Sequence, residues 1–164
     1  MKNILSFLCA ALLGTAIGIF CGSLYSVTAV ADCAMEPSYL KGEHVLLQNY
    51  VKKSENFQRG DVVLLENSLY QETGENSVML KRIVGLPGEQ IAMEHGSVYI
   101  NGNLLQDTWT NTYNRGTDTM DLCIVPQDSY FVLGDNRRES TDSRDETVGM
   151  IEKDEILGKV IRQW

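Results

Sequence analysis

Residues 77–88 have the sequence SVMLKRIVGLPG, and this stretch decides the fold because an apolar run of strand length ends in a glycine- and proline-containing turn. Alternate side chains of a strand share one face. Lys81 therefore lies on the face of Met79 and Ile83, and Arg82 points to the other face. A lysine between apolar neighbours is expected to be partly desolvated, which lowers its pKa.

A lysine of lowered pKa has a specific chemical use. Its neutral amine can accept a proton at physiological pH, so Lys81 is a candidate general base. The alternative is a lysine on an edge strand whose amine extends to water along an apolar stem. The strand pattern alone leaves both interpretations open.

The rest of the chain after residue 43 repeats this strand pattern. Short apolar runs are separated by turn residues, and Asn101-Gly102 is a strong hairpin signal. No segment of this part shows helical periodicity. The pattern predicts a mainly β fold built from antiparallel sheets. The further strand candidates are residues 44–51, 61–65, 90–93, 97–100, 103–105, 129–133 and 155–161.

The N-terminal stretch has a different composition. Residues 3–31 contain no Asp, Glu, Lys or Arg, and about 20 apolar residues suffice to cross a bilayer. We therefore predict a transmembrane helix in an anchor of residues 1–31, with the remaining domain, residues 32–164, outside the cytoplasm. Lys2 favours a cytoplasmic N-terminus. Ala29-Val30-Ala31 would suit cleavage of a signal peptide, or self-cleavage, but the apolar run is longer than a signal peptide needs.

Charge and cysteine usage exclude several functions. A formal net charge of −8 argues against a nucleic-acid partner. Two of the four cysteines lie inside the predicted anchor, which leaves Cys33 and Cys123 without the spacing of a disulfide framework or a zinc site. We therefore expect neither a metal ion nor another cofactor.

Two polar stretches flank the predicted sheet. Ala34-Met35-Glu36-Pro37 follows the uncharged segment directly. Residues 134–146, here called the Asp/Arg loop, follow an apolar strand, and eight of the twelve residues from 135 to 146 are charged. Asp and Arg at such short spacing suit bidentate ion pairs that give a loop one shape.

Together these stretches resemble the type I signal peptidases, the membrane-anchored Ser/Lys endopeptidases of the S26 family. Residues 34–37 match the Ser-Met-x-Pro box of that family, residues 81–89 match its lysine box, and residues 134–144 match its third box, in the family order. The resemblance implies two antiparallel sheets coiled around a core. The small β segment at residues 89–128 is similar to that of the compact, Gram-positive-type members.

The resemblance also implies roles for individual residues. Position 34 would carry the nucleophile and the backbone N–H of the oxyanion hole. Lys81 would be the general base, Ser140 would orient its amine, and Met35 would line the substrate pocket near the lipid surface. An ion-pair network would support the site, formed by Arg82, Asp135, Asp142 and Arg144.

The implied substrates are signal-peptide-bearing precursors, either secreted proteins or pilins, cleaved after small residues in Ala-x-Ala sites at the membrane surface. An extended peptide could bind by strand addition. A LexA-like self-cleaving regulator would share the Ser/Lys dyad, but the predicted anchor and the absence of a DNA-binding domain argue against it.

This chain departs from the family pattern at two positions. Ala34 has no hydroxyl, so covalent catalysis should be absent. Because a buried Lys81 without its serine would be costly, we favour an engineered Ser→Ala change over the alternative, a naturally inactive chaperone that binds precursors in secretion or pilus assembly. Asp32 would repel a developing oxyanion unless it points away or the hole relies on backbone alone. Cys33 faces opposite to position 34, which disfavours it as a substitute nucleophile.

Overall fold

The fold contains two antiparallel sheets. The computed structural model describes residues 13–15, 18, 22–49, 57–67, 78–111 and 113–164. Within these residues lie eleven strands and one 3-10 turn, Lys153–Glu155. The strands are β1 (Tyr25–Ala29), β2 (His44–Asn49), β3 (Val62–Glu66), β4 (Val78–Gly85), β5 (Gln90–Glu94), β6 (Ser97–Ile100), β7 (Asn103–Leu104), β8 (Met120–Ile124), β9 (Ser129–Leu133), β10 (Ile151–Glu152) and β11 (Ile156–Gln163).

The larger sheet has seven strands in the order β1-β2-β11-β3-β4-β9-β10, and the smaller has four in the order β7-β6-β5-β8. All neighbouring strands are antiparallel. The predicted mainly β, antiparallel fold is therefore confirmed. Each strand candidate from the sequence corresponds to a strand of the structure, while β1, β8 and β10 were not predicted.

Strand β1 corrects the predicted membrane segment. The uncharged stretch predicted a helix within residues 1–31, but Tyr25–Ala29 pairs residue by residue with β2. An absence of charge suits both a membrane helix and a sheet strand, so composition could not place the boundary. Most of the predicted anchor before β1 lies outside the described residues. No helix within the described residues is long and apolar enough to cross a membrane.

Strands β4 and β9 form the most buried pair of the larger sheet. One face of the pair packs in a cluster that includes Ile83 and Val132. The other face contributes Val84 and Phe131 to a second cluster, which also contains residues of the smaller sheet. Since both faces are covered, side chains on either face of β4 are removed from water. This burial fixes the environment of the two basic residues in the middle of β4.

We expect the burial of β4 to appear in a matched pair of Ile→Ala variants. Ile83 is fully buried, whereas Ile161 in β11 is 46% exposed. Ile83→Ala should lower the free energy of unfolding by about 2–5 kcal/mol because it leaves a cavity. Ile161→Ala should cost less than about 1 kcal/mol. Urea denaturation measures both, and equal losses would contradict the placement of the core.

Candidate functional site

The register of β4 and β9 sets the centre of the site. Arg82 pairs with Leu133 and Ile83 with Val132, so one further step places Lys81 opposite Gly134. Residues paired across strands project from the same face of a sheet. A Cβ atom on Gly134 would overlap the Ser140 side chain and lie 2.6 Å from the carbonyl oxygen of Ala34. Glycine therefore lets Ser140 and Ala34 pack together at the strand position opposite Lys81.

Lys81 is buried, with 2% of its surface exposed. Burial lowers the pKa of its amine, an effect that the carboxylates of Asp32 and Asp142 partly oppose and the guanidinium of Arg144 reinforces. The interpretation of Lys81 as an edge lysine in contact with water is therefore wrong. The environment instead favours an amine that gives up its proton more readily than an exposed lysine does.

The backbone around position 34 is fixed by the Asp/Arg loop. Ala34 is itself buried, and its carbonyl oxygen accepts a hydrogen bond of 2.9 Å from the backbone N–H of Asn136. The side-chain amide of Asn136 donates to the carbonyl of Cys33 at 3.3 Å. Asn114 donates to the carbonyl of Glu36 at 3.2 Å. Neither asparagine was predicted to have a role. Asn136 lies inside the Asp/Arg loop, whereas no motif of the sequence includes Asn114.

The Asp32 carboxylate accepts a hydrogen bond from the backbone amide that was predicted to bind the oxyanion. The backbone N–H of Ala34 donates to Oδ1 of Asp32 at 2.9 Å. The sequence suggested that Asp32 points away or that the oxyanion hole uses backbone alone. The structure shows a third arrangement, in which the carboxylate accepts the hydrogen bond of that same amide.

The Ser140 hydroxyl is buried at this centre. Its Oγ atom has no hydrogen-bond partner among the described residues, and the same side chain fills the space left free by Gly134. An uncommitted buried hydroxyl beside the lysine position could accept a hydrogen bond from the amine. The predicted role of Ser140 in orienting Lys81 stays a prediction.

The predicted network of four charged residues is two separate pairs. Arg82 binds Asp135 through Nε at 2.7 Å and Nη2 at 2.5 Å. Arg144 binds Asp142 through Nε at 2.7 Å and Nη2 at 2.9 Å. Arg82 projects from the opposite face of β4 to Lys81, and among the described residues no ion pair joins Arg82 to Asp142 or Arg144 to Asp135.

Each pair also makes a hydrogen bond with the backbone. Arg82 donates to the carbonyl of Gly60 at 2.8 Å, and its guanidinium lies 4.9 Å from the ring centroid of Trp109. Oδ2 of Asp142 accepts from the N–H of Gly134 at 2.9 Å. The pairs therefore position backbone as well as neutralising charge.

The position of Met35 differs from the prediction. A substrate- or membrane-facing side chain was expected, but Met35 is completely buried. It packs in a cluster with Val45, Leu47, Val62 and Leu80. The chain turns directly after position 34, which sends the next side chain inward beneath the larger sheet. Met35 therefore anchors the active-site segment in this core, and its predicted place beside the substrate and the lipid surface stays a prediction.

Cys33 is poorly suited to replace the missing nucleophile. A hydrogen bond with Glu36 raises the pKa of its thiol, with smaller contributions from burial and further carboxylate charge. The thiolate is the nucleophilic form of cysteine, so a raised pKa reduces reactivity.

A buried ion pair and a partly exposed ion pair should differ in their effect on stability. Arg82→Met leaves Asp135 buried without a partner, and we expect a loss of about 3–5 kcal/mol in the free energy of unfolding. Lys159→Met removes the pair of Lys159 with Asp61, in which the lysine is 39% exposed, and should cost at most about 1 kcal/mol. Chemical denaturation of both variants tests this, and a small loss for Arg82→Met would refute the buried pair.

Most of the chain is similar in sequence to known proteins. Signal peptidase I P of Bacillus subtilis subsp. natto is 31% identical over 143 residues, which cover 82% of this chain and 74% of that protein. Signal peptidase I of Bacillus amyloliquefaciens is 34% identical, with 82% and 73% covered. Signal peptidase I S of Bacillus subtilis is 30% identical over 167 residues, with 96% and 86% covered.

A solved structure shows the same fold. The crystal structure of a signal peptidase I from Enterococcus faecalis matches with a TM-score of 0.52 and 26% identity, covering 64% of this chain and 97% of that chain. The family model described as signal peptidase, peptidase S26, matches residues 1–164. The chain therefore belongs to the signal peptidase family of S26 peptidases.

Proposed function

We propose that this chain is a signal peptidase I whose site binds signal-peptide-bearing precursors and that Ala34 leaves it unable to cleave them. The burial of Lys81 carries the proposal: the register of β4 with β9, continued by one residue, sets this lysine opposite Gly134, where Ser140 and the backbone of Ala34 meet. That arrangement supplies a base, a group to orient it and a fixed backbone. The hydroxyl that a base of this kind would activate is missing.

The chemistry follows from a serine placed at position 34. Neutral Lys81 would take the hydroxyl proton as Oγ attacks the scissile carbonyl carbon. The backbone N–H of residue 34 would donate to the oxyanion. The C–N bond then breaks, and the Lys81 ammonium gives its proton to the departing amine. Lys81 then deprotonates a water that attacks the ester carbonyl; the C–Oγ bond breaks, and the Lys81 ammonium returns its proton to Oγ, which regenerates the serine.

The proposed substrates are secreted or pilin precursors with small residues before the cleavage site. The names of the relatives support signal-peptide processing. Residues 3–24, which precede β1 and contain no charged side chain, support an anchor that holds the domain outside the cytoplasm and beside the bilayer. The Ala29-Val30-Ala31 sequence of the chain itself is a poor substrate in the folded state, since Ala29 ends β1 and Val30 is buried.

A second candidate is a naturally inactive chaperone that binds precursors. Asp32 favours it, because a carboxylate on the amide of Ala34 suits a site that does not need to stabilise an oxyanion. The intact surroundings of Lys81 favour an engineered Ser→Ala change, since a peptidase needs that amine and a chaperone does not. Restoring the hydroxyl distinguishes the two.

Ala34→Ser should restore cleavage of a precursor carrying an Ala-x-Ala site, measured in detergent by mass spectrometry of the products. Adding Lys81→Met should reduce the rate by at least about 100-fold, because the base is lost. The matched control, Ala34→Ser with Lys41→Met, replaces an exposed lysine and should cleave normally. Precursor binding without any cleavage by Ala34→Ser would favour the chaperone.

Burial of the Lys81 amine should also make the free energy of unfolding depend on pH. Lys81→Met should raise the free energy of unfolding near pH 7 by about 1–3 kcal/mol, since an apolar side chain replaces an amine whose burial costs it hydration or its proton. The folded-state pKa of Lys81 is lowered, so the parent gains stability as pH rises toward about 10.4, the usual lysine pKa. The difference in the free energy of unfolding between Lys81→Met and the parent should therefore shrink as the pH rises. Lys41→Met should show no such trend, and the same trend in both variants would contradict the burial.

A further inference from the structure

We propose that Asp32 is an internal ligand of the site: its carboxylate occupies the amide of residue 34 in the free protein and must leave before a substrate carbonyl binds there. The inference rests on the proposed function, because it concerns the same site. It assigns to Asp32 a part in substrate binding that differs from the simple repulsion expected from its charge.

The first support is the hydrogen bond itself. The backbone nitrogen of Ala34 lies 2.9 Å from Oδ1 of Asp32, an ordinary hydrogen-bond length, and the charge of the carboxylate strengthens the bond. An amide has a single hydrogen, so a carbonyl oxygen that approaches it competes with the carboxylate. A carboxylate that stayed in place would also repel the negative charge of the oxyanion. Binding and chemistry therefore both require Asp32 to move.

The second support is the difference in freedom between the two partners. The backbone at position 34 is buried and held through its carbonyl by Asn136. Asp32 is exposed to solvent. The amide therefore keeps its direction, while the carboxylate can rotate into water and recover hydration there. An arriving peptide would find the donor already oriented once Asp32 has left.

The third support is the charge felt by Lys81. The charged groups that act on its amine are the carboxylates of Asp32 and Asp142 and the guanidinium of Arg144. With Asp32 in place, its negative charge favours the ammonium form, which cannot accept a proton. Displacement of Asp32 by a peptide would remove that charge as well as free the amide. Substrate binding would thus prepare both the oxyanion donor and the base.

The binding test uses the chain with Ala34, which leaves the peptide intact. A fluorescent peptide spanning an Ala-Val-Ala site is titrated against the parent, Asp32→Asn and Asp32→Gly. We expect Asp32→Gly to bind roughly tenfold more tightly, as when an internal competitor holds the site about nine-tenths of the time. Asp32→Asn, a neutral and weaker competitor, should fall between them. Asp121→Asn removes an exposed carboxylate of β8 and should leave the affinity unchanged.

Weaker or unchanged peptide binding by the Asp32 variants would overturn the inference. If Asp32 only braces the active-site segment, both Asp32 variants should bind more weakly or equally and should unfold more easily. A second readout does not depend on peptide affinity. The Lys81 amine, followed by NMR of its Cε protons, should titrate at lower pH in both Asp32 variants, and an unchanged midpoint would also overturn the inference.

Failure of this inference differs from failure of the proposed function. Cleavage by Ala34→Ser together with unaltered peptide affinity and Lys81 titration in the Asp32 variants would refute the internal ligand alone. Tighter binding by the Asp32 variants without cleavage by Ala34→Ser would retain the internal ligand and refute the peptidase.

Discussion

The pairing of β4 with β9 is the constraint on which the site depends. It places Lys81 opposite Gly134, a position where any side chain would overlap Ser140 and the Ala34 carbonyl. The N–H of the same glycine donates to Asp142. A single residue without a side chain therefore fixes the distance between the lysine strand, the Asp/Arg loop and the active-site segment. A shift of one residue in this register would turn Lys81 to the opposite face.

The charged residues serve mainly to give the Asp/Arg loop one shape. Arg137 binds Asp107 and the carbonyl of Gly134, while Arg144 binds Asp118 as well as Asp142. Asp107 and Asp118 belong to the connection between β7 and β8 of the smaller sheet. That sheet therefore contributes to the site without supplying a reacting group. Buried ion pairs add little net stability, but their directional hydrogen bonds select one loop conformation among many.

Sequence reasoning succeeded where a local pattern determines the structure. Apolar runs closed by turn residues gave the central strands, and the period of two gave the separate faces of Lys81 and Arg82. It failed where the outcome depends on distant contacts. The uncharged stretch did not reveal that residues 25–29 pair with β2, and the inward turn of Met35 depends on the core beneath the larger sheet. Asp32 and Ala34 are only two residues apart, but their hydrogen bond forms because the fixed backbone directs the Ala34 N–H toward the carboxylate.

The absence of a hydroxyl at position 34 changes the electrostatic problem at Lys81. A buried amine is costly when no group compensates its charge. Here the carboxylates of Asp32 and Asp142 both favour the charged form of the Lys81 amine. They therefore reduce the cost of burying that amine even though position 34 has no hydroxyl. Asp142 is committed to Arg144 and the N–H of Gly134, whereas Asp32 is exposed and bonded to one amide. The charge that makes the buried lysine tolerable is therefore also the one that a bound peptide can most easily displace.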